Sequence, residues 1–291
     1  MKQSIVLLDN GSVRPASILA ARELARRVSS KIGKPVSHAA CQHSDKVPAA
    51  ELAGEPCLVW GDFLEREWAR GIQRILVLPL FFGPSSAIAI KARRVARQFC
   101  ERRPGVSCEV ARSLVDVSDE TDDGIAQLIS QQVIEKLDTV SEKRTQCILV
   151  DHGSPNPEVG RCRDLVGKQL AESLADRGVN VIASSMERRP GPDYDFNEPL
   201  LESVLEELDS SKIERIVLAY LFLFPGRHAG PGGDIDTICQ QSRFSQDGGE
   251  IVKCSLVGEL SGLEGILTER YSQLTQKGNG LFSVAPVEQP R

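Results

Sequence analysis

Hydrophobic positions in this chain fall into two alternating patterns. Short unbroken apolar runs, as expected of strands buried on both faces, are followed by longer stretches in which apolar residues recur every three or four positions. In the first half the runs lie near 4–9, 35–41, 74–81 and 107–113, and the helical stretches near 14–31, 60–70, 86–102 and 119–138. From Ala16 to Ile32, for example, Ile18, Leu19, Leu24, Ala25 and Val28 share one face while Arg22, Arg26 and Arg27 fall elsewhere. That is the signature of a sheet-covering helix. The second half repeats the order, with strands near 146–151, 179–185, 214–222 and 251–256 and helices near 158–177, 197–209, 233–243 and 262–276. Such alternation predicts an α/β fold in which each half is a parallel β-sheet flanked by helices.

The repetition extends to residues. Ile5-Val6-Leu7-Leu8-Asp9-Asn10-Gly11-Ser12 is answered by Cys147-Ile148-Leu149-Val150-Asp151-His152-Gly153-Ser154. The run from Arg74 to Pro84 is answered at nearly the same offset by Arg215 to Pro225. Two matches at one offset indicate an internal duplication, and with two copies only it predicts two lobes rather than a solenoid. The polar stretch Asp138 to Arg144 is the expected boundary. The tail, residues 276–291, contains Gly278, Gly280, Pro286 and Pro290 and is expected to be loosely ordered.

Composition narrows the class. A length of 291 residues accommodates two domains with full cores. A formal net charge of -5 gives no basic field, which argues against a nucleic-acid partner. No apolar run approaches the length needed to cross a bilayer, so no membrane association is expected. Met1-Lys2-Gln3-Ser4 leads directly into a strand without the layout of a signal peptide. The eight cysteines form no Cys-x-x-Cys pair and mostly sit in apolar runs. They read as buried free thiols of a cytoplasmic protein, with an iron–sulfur cluster or structural zinc as the lesser alternative.

Ligands of open parallel sheets bind beyond the carboxyl ends of the strands. His152 stands at such an end, followed by Gly153, which permits a tight turn, and Ser154, which can cap the next helix. His228 follows another strand, in the loop Phe224-Pro225-Gly226-Arg227-His228-Ala229-Gly230-Pro231-Gly232-Gly233-Asp234-Ile235, where glycine and proline prevent the strand from continuing. Glu187 lies just past a third strand, beside Arg188 and Arg189. Each of the three has a plain structural explanation alone. On one sheet edge, two imidazoles and a carboxylate suit a divalent first-row metal and leave coordination positions open. In the first copy Asn10 stands opposite His152, Gln42 opposite Glu187, and Ser85-Ser86-Ala87 opposite His228. A register slipped by one place would instead involve His43. The first lobe therefore reads as one that kept the fold and lost the metal site.

The pair Asp-His-Gly-Ser after a first strand, with Leu-Phe-Leu-Phe-Pro-Gly-Arg-His and a following Asp-Ile, resembles the sirohydrochlorin chelatase family. These are the class II chelatases of cobalamin and siroheme biosynthesis. The resemblance covers both halves in architecture and is motif-level in residues 145–240. It implies two duplicated chelatase-like lobes with a cleft between them: 1–140 degenerate, 145–275 carrying the metal site. It also implies an ATP-independent lyase that inserts Co2+ or Fe2+ into sirohydrochlorin, with Ni2+ the substrate of related archaeal forms. The divalent metal is then a substrate, and no organic cofactor is called for. His152 and His228 become the active-site histidines, with Glu187 as the third polar member of the metal site. The histidine-rich tail of some cobaltochelatases is absent.

The residues suit that chemistry. Metal insertion removes water from an ion and two protons from pyrrole nitrogens, and a neutral imidazole can hold the ion weakly or accept a proton near neutral pH. Arg188, Arg189 and Arg227 offer planar forks to substrate carboxylates, as do the amides near Gly153, Ser154 and Gly232. Tyr220, Phe222 and Phe224 alternate on one strand face and are assigned to core packing. Two other classes stay open: a non-catalytic tetrapyrrole or metal carrier derived from a chelatase, and a phosphate-ester or nucleotide enzyme using the Gly-Ser turn, although no phosphate-loop fingerprint is present. A duplicated chain can imitate a dimer of single lobes, so a monomer is expected.

Overall fold

Two sheets with the same strand order organise the chain, in a computed structural model that describes residues 2–138, 143–277 and 282–284. The parallel part of the first sheet is β1 (Gln3–Asp9), β2 (Ser37–Ala40), β3 (Arg74–Pro79) and β4 (Ser107–Val110), in the order β2-β1-β3-β4. The second contains β5 (Thr145–Asp151), β6 (Asn180–Ser185), β7 (Arg215–Tyr220) and β8 (Glu250–Lys253), in the order β6-β5-β7-β8, again all parallel. The duplication read from the sequence is therefore a duplication of topology.

Both sheets are covered on two faces, which is why their central strands are continuous apolar runs. In the first, Val6, Leu8, Ile75 and Val77 pack with Trp60, Phe63 and Phe99 from α2 (Trp60–Ala69) and α3 (Ala87–Glu101). The second packs Ile148, Val150, Ile216 and Leu218 against Leu205 of α6 (Leu201–Glu207), Ile235 of α7 (Asp234–Gln241) and Phe244 of α8 (Arg243–Gln246). Each such side chain removed from water contributes about 1.5–3 kcal/mol. The opposite faces carry α1 (Pro15–Ile32) and α5 (Pro157–Leu174), each opened by a proline whose missing N–H is no loss in a first turn. Tyr220 is buried and Phe222 packs on the same core, as assigned from the sequence. All eight cysteines are free thiols, seven of them buried. No helix among the described residues is long and apolar enough to cross a membrane.

The units are not the two sequence halves. One comprises the chain up to Leu114 together with residues from Glu264 onward, and the other Val115–Leu263. The boundary expected near residue 140 thus falls at 114/115, with a second crossing at 263/264. Side chains show why. Helix α9 (Leu263–Lys277) carries the buried Arg270, which donates to the carbonyls of Ser113 (3.1 Å) and Leu114 (3.4 Å), and Glu264, which pairs with Arg27 at 3.0 Å. Helix α4 (Gly124–Asp138) instead belongs with the second sheet, where the Ser130 and Ser173 hydroxyls meet at 2.7 Å. The linker residues 139–142 lie outside the described residues.

Other expectations shift locally. Helix α4 starts at 124 rather than 119, because Asp119 accepts from the Thr121 amide and offers the backbone a turn instead. The helix expected over 233–243 breaks at Ser242, whose hydroxyl caps α8. The tail expected to be loose contains β9 (Phe282–Val284), an antiparallel fifth strand on β4, so the first sheet is not wholly parallel. Residues 278–281 and 285–291 lie outside the described residues.

Candidate functional site

The order β6-β5-β7-β8 has its switch point between β5 and β7, since the chain leaves β5 toward β6 and returns to β7 on the other side. Crevices at such points are where open α/β sheets bind ligands. His152 follows β5 and His228 follows β7, so the two histidines flank that point.

Asp151, the last residue of β5, is buried. Its burial pushes the carboxyl pKa up, opposed by the Ser185 hydroxyl donating at 2.6 Å, the nearby Arg163 charge and the Gly153 amide donating at 3.0 Å. The next residues are held from the other side by Asn197, whose Oδ1 accepts from the Ser154 amide (2.8 Å) and whose Nδ2 donates to the Ser154 carbonyl (2.9 Å). Arg163, also buried, ties this frame together by donating to Ser185 Oγ and to the carbonyls of Phe196 and Asn197. The first unit builds the same clamp from a different residue: the Ser44 hydroxyl accepts from the Ser12 amide at 3.0 Å and donates to the Ser12 carbonyl at 3.1 Å.

Gly153 has φ +85°, and a Cβ there would lie 1.9 Å from the Glu187 carbonyl oxygen. Gly11 has φ +92°, and its Cβ would lie 1.8 Å from the Gln42 carbonyl oxygen. Only glycine fits either position. The same close approach in both units aligns Gln42 with Glu187 without a slip, which removes His43 from the comparison. The amide bonds agree: Cys41 donates to Asp9 O and Met186 to Asp151 O.

The side chains then meet in sequence. His152 Nε2 is 3.5 Å from Glu187 Oε1, with the two side chains 46% and 59% exposed. The His152 and His228 rings lie edge to face, centroids 4.6 Å apart at 75°. His152 Nδ1 is 3.0 Å from the Gly153 carbonyl oxygen. A carbonyl oxygen only accepts, so Nδ1 is the donor in that contact and Nε2 is the nitrogen that faces Glu187. The carboxylate oxygen only accepts, so the pair can share a proton or a cation.

Glu187, His152 and His228 are thus brought together as a row of neighbours. Among the described residues, no three potential ligands converge on one point. The arrangement suits brief, weak coordination better than a closed structural site.

The predicted substrate-binding residues divide. Arg227 is 79% exposed, its Nε 3.5 Å from Asp234 Oδ2. Arg188 does not serve as a free donor: it pairs with Glu198 Oε1 (2.6 Å) and Asp195 Oδ1 (2.8 Å) and donates to Gly191 O, holding the loop after β6 closed. The exposed Arg189 beside it lies 5.8 Å from the Tyr194 ring centre. Ser154 does not cap α5. Its hydroxyl accepts from the Asn156 amide, and Asn156 is the cap, accepting from the Glu158 amide at 3.1 Å.

Two residues of this site were not singled out from the sequence, and a third was given no role. Arg163 and Asn197 carry no local signal, since only the folded chain brings them to the Gly-Ser turn. Asp234, which contacts His228, stands in the sequence as part of the Asp-Ile that follows the histidine, in the first turn of a helix.

A family model described as CbiX matches residues 146–274. No curated protein matches the sequence. Among solved structures, SirB from Bacillus subtilis with Fe3+ is similar at 18% identity and TM-score 0.67, covering 96% of this chain and 97% of that one. SirB from Bacillus subtilis subspecies spizizenii in complex with cobalt is 15% identical, with TM-score 0.65 and coverage of 96% and 99%. CbiX, the terminal enzyme for biosynthesis of siroheme in denitrifying bacteria, is 15% identical, with TM-score 0.59 and coverage of 94% and 98%. At these identities the structures establish a shared two-unit fold.

Proposed function

We propose, from the match of residues 146–274 to the family model described as CbiX, that this chain is an ATP-independent chelatase inserting Co2+ or Fe2+ into sirohydrochlorin. The observation that carries the reading is the approach of His152 Nε2 to Glu187 Oε1 at 3.5 Å, with the His228 ring edge to face beside it. Two imidazoles beside a carboxylate suit a divalent ion or a proton in transit.

His152 and Glu187 hold the incoming ion, the carboxylate offsetting its charge and the imidazole replacing one water. His228, one ring away, offers the next position. As the ion passes to the macrocycle, these groups exchange metal for the protons leaving the pyrrole nitrogens. Their exposure lets water and protons return, and the incomplete ligand set keeps the ion from being trapped. Arg227 and the exposed Arg189 supply cations for the substrate carboxylates.

Mixing protein, sirohydrochlorin and Co2+ should convert the free-macrocycle spectrum to that of the metallated product faster than the uncatalysed reaction. His152→Ala should remove most of that excess rate. Tight stoichiometric binding of tetrapyrrole with a wild-type rate equal to background would replace this reading with a carrier.

A further inference from the structure

His228 sits in a loop that returns on itself before helix α7. The Gly226 amide donates to Ala229 O at 2.7 Å, the Asp234 amide to Arg227 O at 3.2 Å and the Ile235 amide to His228 O at 3.1 Å. Gly233 is packed so closely that a Cβ would lie 2.7 Å from the His228 carbonyl oxygen and 2.9 Å from that of Arg227. The loop has little freedom to shift. It places the Asp234 carboxylate in the first turn of α7, with Oδ2 2.7 Å from His228 Nδ1 and 3.5 Å from Arg227 Nε.

We infer that Asp234 is a positioning residue: it holds His228 with Nδ1 protonated and the ring fixed, so that Nε2 is the nitrogen left to accept a metal ion or proton. A carboxylate oxygen only accepts, so the nitrogen it touches must donate. A carboxylate on the far nitrogen also makes the near one a stronger donor to a cation, and removing such a partner elsewhere lowers metal affinity by about 10–100-fold. His152 reaches the same tautomer through a backbone carbonyl, which no side-chain substitution removes. Asp234 is therefore the point at which the orientation of the pair can be altered without touching either histidine. The inference rests on the reading of His228 as a metal-site residue only for its consequence; the tautomer itself can be measured independently.

The test uses the full chain labelled with 15N-histidine, free of metal, about two pH units above the ordinary histidine value of about 6.5. With four histidines, the ring resonances can be assigned. Wild-type His228 should show the protonated-Nδ1 pattern. In Asp234→Ala it should change to a mixed or protonated-Nε2 pattern while His152 stays as it was, and Co2+ should bind about 10–100-fold more weakly. Asp234→Asn, which retains an acceptor oxygen, should fall between the two, and it carries the same readouts if the alanine variant does not fold. A wild-type pattern retained in Asp234→Ala, or weaker Co2+ binding without a tautomer change, overturns the inference. The expected tautomer change in a protein that shows no metal insertion would leave the inference standing and sink the chelatase reading instead.

Discussion

Gly153 and Glu187 meet backbone to backbone, so closely that a single added carbon on the glycine would stand 1.9 Å from the glutamate carbonyl oxygen. This approach brings the ends of β5 and β6 together and sets the His152 and Glu187 side chains on the same edge. Gly153→Ala combines a clash with a left-handed φ and is expected to lower stability by more than about 1 kcal/mol and to abolish Co2+ binding. Gly11→Ala meets the equivalent obstacle at Gln42. It should lower stability similarly while leaving the Co2+ affinity of the folded protein unchanged. Urea midpoints with parallel Co2+ titrations compare the two; equal loss of Co2+ binding in both would refute a site confined to the second unit.

Glu187 is more than half exposed, and its substitution tests charge rather than folding. Glu187→Gln keeps the shape, removes the anion and gives His152 a donor in place of a competing acceptor. Stability is expected to stay within about 0.5 kcal/mol, while Co2+ affinity and metal-insertion rate fall at least about tenfold. An affinity equal to wild type, read by Co2+ titration, would remove the carboxylate from the ligand row.

Two of the three arginines predicted to contact substrate should separate. Arg188→Ala breaks pairs with Asp195 and Glu198, all partly exposed, so each contributes only about 0–1 kcal/mol, and the effect should appear as a small loss of thermal stability. Arg227→Ala, at a highly exposed position, should leave stability unchanged and raise KM for the tetrapyrrole with little effect on kcat. Steady-state kinetics beside thermal denaturation distinguish them. A KM effect for Arg188→Ala as large as that for Arg227→Ala would restore Arg188 as a substrate ligand.

A pH effect is expected from the first unit. His38 is buried, and burial alone pulls its pKa down, but Asp9, with Cys57 assisting, outweighs this and holds it up to about 9. Asp9 Oδ1 is 3.3 Å from His38 Nε2 without the alignment of a hydrogen bond, so the attraction is mainly one of charge. Because the folded value is raised above the ordinary 6.5, this contribution is complete below pH 6.5 and disappears as pH rises through 9. It should amount to about 1–3 kcal/mol. His38→Gln should remove it, so the stability difference between wild type and variant should shrink between pH 6 and 9.5 in urea titrations. A constant difference across that range would show that His38 is not charged in the fold.

Much of the architecture could be read from periodicity. The eight long strands and the helices between them fall within a few residues of their expected bounds, because a strand buried on both faces and an amphipathic helix leave patterns in the residues that form them. The duplication was visible for the same reason, and it identified Asn10 and Gln42 as the neutral counterparts of His152 and Glu187 before any coordinates. Element ends were read less well. Asp119 and Ser242 redirect the backbone through their own side chains, and such local hydrogen bonds compete with the helical pattern instead of following it.

The sequence by itself determined the α/β class, the twofold repetition and the emergence of His152, Glu187 and His228 at strand ends, since each depends on hydrophobic spacing and turn residues close along the chain. Only the tertiary structure decided which polar groups meet. It paired Arg188 with Asp195 and Glu198, brought Asn197 and Arg163 to the Gly-Ser turn, set Asp234 on His228, and assigned α4 and α9 to units other than those of their sequence halves. The physical reason is that hydrophobic burial depends on periodicity and is not directional, whereas hydrogen bonds and ion pairs need two groups within about 3 Å in the right orientation. For residues tens of positions apart, that condition is met only when the chain has folded back on itself.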